Sequence, residues 1–172
     1  ATMVPGNDPL ETAVAAVRLA ADGRWKASNC TLVGDDLDLL RMVGSVLPDD
    51  DTRLLLVVDQ FEELLHQNGN REIQNRFLRN LAEVVDDPGA DIVVVVTLRS
   101  DFFDRALHTL PIGPLLSREM LTVLPLIPAD LGAAARRPAE QVGVQVEPEL
   151  LAALVADMTD QPGALPLFQY VL

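Results

Sequence analysis

Lysine is all but missing from this chain. Twelve arginines stand against one lysine, Lys26, so any step that needs a lysine ammonium has a single candidate. Cysteine is as scarce: Cys30 stands alone, which excludes an intrachain disulfide and makes a reducing cytoplasm the expected compartment. No apolar run approaches the roughly 18 residues of a membrane span, and nothing reads as a secretory leader. Positive charge is short throughout. A formal net charge of -13 argues against binding a nucleic-acid backbone, which needs clustered Lys and Arg, and equally against an anionic membrane surface. Aromatic residues make up only 4% of the chain, so Leu, Val and Ala must fill the core.

At 172 residues and 49% hydrophobic, the chain has enough apolar sequence for one domain, or one domain with a small helical appendage. Its organising stretch is 54–63, Leu-Leu-Leu-Val-Val-Asp-Gln-Phe-Glu-Glu. Five uninterrupted apolar residues run straight into three carboxylates within five positions. Such a run reads as a strand buried on both faces of a sheet, with its carboxylates at the strand's C-terminal end, where open α/β sheets place ligands. Residues 92–98 form a second such strand, opening with six β-branched residues in a row. A helical stripe of Ile73, Phe77, Leu81 and Val84 lies between them. Strand, helix, strand in that order predicts a parallel α/β sheet.

The remaining elements follow from local signals. Residues 2–4 read as the tail of a strand cut short by Pro5-Gly6, so the chain is expected to begin in mid-fold. Asp8, Pro9 and Glu11 carry the pattern of a capped helix start, with Leu10, Val14, Val17 and Ala21 at helical spacing behind them. A second helix is expected to open at Asp35 or Asp36 and to end at Pro48. Six aspartates lie between 35 and 51 and read as a solvated acidic face. Residues 121–127 are a further candidate strand, limited by Pro125. Beyond them the sequence becomes Ala-rich and helical, with helices near 129–142, 148–159 and 164–172. The expected organisation is a 1–127 core followed by a truncated helical subdomain over 128–172.

An Asp ending one parallel strand and a polar residue ending the next is the arrangement of P-loop nucleotide hydrolases. Their Gly-rich loop G-x-x-x-x-G-K-[ST] is absent, since none of the ten glycines precedes a lysine. Either the chain is no nucleotide hydrolase, or that loop lies upstream of Ala1. Four stretches decide in favour of the second. The segment Leu-Leu-Leu-Val-Val-Asp-Gln-Phe-Glu-Glu-Leu resembles the Walker B segment of the novel STAND NTPases, bacterial signal-transduction ATPases fused to many other domains. Val4-Pro5-Gly6-Asn7-Asp8-Pro9-Leu10 is similar to the segment after their second strand. Val95-Val96-Thr97-Leu98-Arg99-Ser100-Asp101-Phe102-Phe103 resembles their sensor strand. Gln161-Pro162-Gly163-Ala164-Leu165-Pro166-Leu167 resembles the Gly-Pro motif of their helical lid. The four stand in the family's order across essentially the whole chain.

The resemblance implies a role for each matching residue. Asp59 would bind Mg²⁺, and Glu62 or Glu63 would orient the attacking water. In the wider class a catalytic Glu often directly follows the Asp, where this chain has Gln60, so both glutamates stay open. A helix starting near Gln60 would put Glu63 one turn beyond Asp59 and favours Glu63. Arg99 would read the terminal phosphate, a contact that suits a guanidinium, against the competing role of an ion pair with Asp101 or Asp59. Pro166 would pack against the adenine and Gly163 would permit the turn before the last helix; plain loop-to-helix punctuation is the alternative for both. The implied cofactors are Mg²⁺ and ATP or ADP in a full-length domain, with none held tightly by these residues alone.

The implied function is a nucleotide-controlled signalling switch. A non-catalytic scaffold that uses the same fold to bind other protein domains is the alternative. Metal-dependent hydrolysis by Asp59, Glu62 and Glu63 without nucleotide has little support, because no further ligands converge. His66, His108 and Cys30 lack metal-ligand spacing and read as packing or surface residues. In this class the strand carrying the phosphate loop lies beside the sensor strand. Without it, strand 92–98 is expected to have an unpaired edge, leading to self-association or a rearranged sheet.

Overall fold

The computed structural model describes residues 1–24, 32–33, 36–37, 39–48, 51–66 and 70–159. The chain divides into two compact units, Ala1–Met120 and Leu121–Leu172.

The first unit is built on a parallel three-stranded sheet in the order β1 (Thr2–Met3), β4 (Leu54–Val58), β5 (Ile92–Val96). The central β4 is the apolar run of the organising stretch. Its register sets Met3 against Val58 on one side and Val96 against Val58 on the other. A separate antiparallel bridge joins β2 (Leu32–Val33) to β3 (Asp36–Leu37). Three helices supply the covering layer: α1 (Pro9–Ala20), α2 (Leu39–Val46) and α3 (Arg71–Asp86). Their inward side chains, among them Val17, Met42, Val43, Phe77 and Leu81, form one core with Leu54, Leu56 and Val58.

Local chemistry sets the helix ends. Asp8 caps α1 by accepting from the Glu11 N–H at 3.0 Å, with Pro9 in the first turn, as its sequence predicts. Asn70 caps α3 by accepting from Glu72 N–H and Ile73 N–H. The start of α2 differs from the sequence expectation: it opens at Leu39, not at Asp35 or Asp36. The Leu39 N–H instead donates to the side-chain oxygen of Asn80 on α3, at 3.3 Å. A cap donated by a distant element leaves no local sequence signal.

The sheet also departs from the pattern expected of it. Leu54, Leu56 and Val58 are buried, but Leu55 is 51% exposed, and on β5 Val93 and Val95 are 46% and 45% exposed. Both strands were expected to be buried on two faces; only one face is covered. Runs of Leu and Val carry no alternation from which to read this. Within the first unit, α1, α2 and α3 share one core with the face that carries Leu54, Leu56 and Val58.

Beyond β5 the chain makes a 3₁₀ turn (Ser100–Phe102), then α4 (Phe103–Leu107) and α5 (Ile112–Leu116). These two short helices meet so closely that a Cβ on Gly113 would overlap the carbonyl oxygen of Leu107. In the second unit, α6 (Pro128–Gln141) packs on α7 (Pro148–Met158). The candidate strand at 121–127 is not formed, and its apolar side chains are exposed. The second unit contains only helices among its described residues, so no neighbouring strand is present to satisfy its backbone. The expected helix at 164–172 lies outside the described residues.

Candidate functional site

The site forms because parallel register aligns strand ends. Val58 pairs with both Met3 and Val96, so the residues that follow, Asp59 and Thr97, emerge side by side at the C-terminal edge of the sheet. Two backbone bonds extend the ladder past the strand ends. Asp59 N–H donates to Met3 C=O at 2.8 Å and Thr97 N–H to Val58 C=O at 3.0 Å.

At this edge the Thr97 hydroxyl donates to Asp59 Oδ1 at 2.5 Å. The Gln60 N–H points at the same pair, 3.1 Å from Asp59 Oδ1 and 3.0 Å from Thr97 Oγ1. Gln60 reaches this position by adopting a left-handed conformation, φ 55° and ψ 49°, that non-glycine residues seldom take. The reversal lets Phe61 N–H donate to Thr97 C=O at 2.9 Å and buries the Phe61 ring completely. Asp59 is thus held through one oxygen, while Oδ2 has no hydrogen-bond partner among the described residues. That free oxygen suits a hard cation, which takes one or two carboxylates and completes its shell with water and phosphate. No group of three or more His, Cys, Asp or Glu among the described residues could cage a metal.

The two glutamates occupy different environments on one 3₁₀ turn, Phe61–Leu65. Glu63 reaches across to β1's outgoing loop, where its Oε2 accepts from the Gly6 N–H at 3.0 Å. Gly6 itself has φ +57°, a left-handed value that favours glycine. Glu62 turns inward and is only 8% exposed, and its Oε2 has no hydrogen-bond partner. A buried carboxylate oxygen without a partner costs stability, so this position is under strain of a chemical kind.

Arg99 follows Thr97 at the same edge, and its guanidinium is engaged by Asp101. It forms a two-pronged pair with Asp101, Nε to Oδ1 at 3.1 Å and Nη2 to Oδ2 at 2.8 Å. The hydrogen bond that Arg99 donates to Asp101 raises the Arg99 pKa, with the Asp101 and Glu62 charges adding to it; the same hydrogen bond lowers Asp101 below the usual carboxylate range. Both side chains are exposed, so the pair contributes little to stability. The ion pair considered as Arg99's competing role is present.

The structure thus brings Asp59, Glu62, Glu63 and Arg99 to one sheet edge, while Gly163 and Pro166 lie outside the described residues. Thr97 and Gly6 were not singled out from sequence. Thr97 could have been, since it stands at the same offset from its strand end as Asp59 from its own. Gly6 gives no such signal, because its contribution is a backbone N–H. His66 packs edge-on against Phe102, with ring centroids 5.3 Å apart, in keeping with the packing role its sequence context suggests.

No curated protein and no solved structure matches this chain. The family model of Novel STAND NTPase 1, however, matches residues 1–172, from end to end, and the chain belongs to that family.

Proposed function

We propose that the chain carries the Walker B and sensor half of an ATP-binding and ATP-hydrolysing signalling switch. The phosphate-holding loop, which these residues do not contain, is contributed from outside them. The observation that carries this reading is the state of Asp59: one oxygen clamped by the Thr97 hydroxyl and the Gln60 N–H, the other free, at the C-terminal edge of a parallel sheet.

In this reading Asp59 presents Oδ2 to the Mg²⁺ of a bound nucleotide, and its fixed Oδ1 sets the direction of that approach. When bound there, Mg²⁺ would supply neutralisation of phosphate charge, with Asp59 holding it. Glu63 orients the attacking water and accepts its proton, a task that requires it to let go of Gly6 N–H; Glu62 is the alternative for this step. Arg99 exchanges Asp101 for the terminal phosphate, a contact for which its planar fork is suited. Helices α6 and α7, with Gly163 and Pro166, act as the lid, Pro166 lying against the adenine.

Calorimetric titration with Mg²⁺-ATP tests the division of labour. These 172 residues alone are expected to show no micromolar binding, and micromolar binding would sink the proposal. Joined to an upstream segment carrying G-x-x-x-x-G-K-[ST], the domain is expected to bind. Asp59→Asn or Glu63→Gln should then slow turnover by about a hundredfold or more while sparing much of the affinity.

A further inference from the structure

Glu62 and Arg99 are carried by two turns that are tied together. The Phe61 N–H donates to Thr97 C=O at 2.9 Å, one residue before Glu62 and two before Arg99. Further along, His66 packs edge-on against Phe102, which joins the turn Phe61–Leu65 to the turn Ser100–Phe102 that Arg99 leads into. The two side chains are placed oppositely. Glu62 is buried, and its Oε2 is enclosed by this chain without a hydrogen-bond partner. Arg99 is exposed and holds Asp101, which is exposed as well. The Glu62 charge nevertheless acts on Arg99, raising its pKa as the Asp101 charge does.

We propose that Glu62 is a second, inner acceptor for the Arg99 guanidinium, which takes it up whenever it leaves Asp101 and no other anion holds it outside. Two carboxylates then compete for one cation, and opposing effects set the outcome. Glu62 gains by the move, since a buried carboxylate oxygen without a partner is costly and a charge-assisted hydrogen bond removes that cost. Arg99 loses hydration on entering, a penalty that the exposed pair with Asp101 avoids. In the conformation seen here the two-pronged outer pair prevails. An exposed pair is worth little, so loss of Asp101 is enough to send the guanidinium inward. Glu62 therefore acts through Arg99, as a positioning residue that sets where this cation rests at the sheet edge. The proposal does not depend on nucleotide binding, and its failure would leave the reading of Asp59 untouched.

Asp101→Ala removes the outer acceptor and separates this role from plain packing. In NMR of the chain with ¹⁵N-labelled arginine, Arg99→Gln identifies the Arg99 signal by its disappearance. Exchange of the Arg99 Nε–H with solvent should slow by about tenfold or more in Asp101→Ala, although the side chain has lost an ion-pair partner. Adding Glu62→Met should restore fast exchange. An Nε–H that exchanges in Asp101→Ala as fast as in the parent, or faster, would overturn the proposal. Urea denaturation midpoints give a second reading. Glu62→Met should raise the midpoint in the parent, where Glu62 has no partner, and lower it in Asp101→Ala, where Arg99 has become one. With Arg99→Gln added to Asp101→Ala, Glu62→Met should raise it again. If Glu62→Met raised the midpoint in Asp101→Ala itself, Glu62 would have no partner there and the proposal would fall.

Discussion

Thr97 and Asp59 belong to adjacent strands, 38 residues apart in sequence, and are tied by a hydroxyl-to-carboxylate hydrogen bond of 2.5 Å. The bond fixes Asp59 without occupying both of its oxygens. Thr97→Val keeps the shape and removes the donor, and is expected to cost about 1 kcal/mol in urea denaturation, the usual worth of one such bond. Thr97→Ser should recover most of that loss. If valine were as stable as threonine, the bond would contribute nothing to the fold, and its role in orienting Asp59 would rest on geometry alone.

Neighbouring glutamates should respond in opposite directions. Glu62 holds a buried oxygen without a partner. Glu62→Met fills the same space without a charge and is expected to stabilise the chain by about 1–3 kcal/mol, seen as a higher denaturation midpoint. Glu63 is engaged with Gly6 N–H, so Glu63→Ala should lose about 1 kcal/mol, whereas Glu63→Gln keeps an acceptor oxygen and should lose little. A stabilising change at Glu62 marks a position where the fold alone gives no reason for a carboxylate.

Much of this was legible in the sequence, and the misses share a cause. The runs at β4 and β5 announce themselves through β-branched and aliphatic density, and Asp59 and Arg99 stand at their ends where polar residues begin. The cap of α1 is contained in four consecutive residues, so it too can be read locally. What could not be read depends on partners distant in sequence. Asn80 caps α2, Gly6 engages Glu63, and the bareness of one sheet face follows from where helices pack. An unbroken Leu-Val run looks the same whether one face or two are covered.

The Arg99–Asp101 pair gives a pH signature with a definite sign. Its hydrogen bond lowers the Asp101 pKa, so the pair's contribution is fully present above the unfolded carboxylate value, about 3.9, and is lost as pH falls through the lower folded value. Carbon-detected NMR titration should place the Asp101 midpoint below that of an ordinary aspartate. Arg99→Gln should return it toward the ordinary value. Because both groups are exposed, high salt should shrink the difference.

A close backbone approach in the first unit lies between α4 and α5. Gly113 sits at the second residue of α5 and is buried. Its N–H donates to Thr109 C=O at 2.8 Å, and the backbone of Leu107 occupies the space a side chain would need. The obstruction is a carbonyl oxygen, not the end of a flexible side chain, so it cannot move aside without displacing α4. Gly113→Ala, which ordinarily gains helix propensity, should here destabilise by about 3 kcal/mol or more. Pro114→Ala, one residue on and exposed, serves as a control and should change the denaturation midpoint far less. Since α5 also packs against α3, the loss should be accompanied by faster amide exchange along that helix. An alanine variant as stable as the parent would mean that the two short helices do not meet this closely.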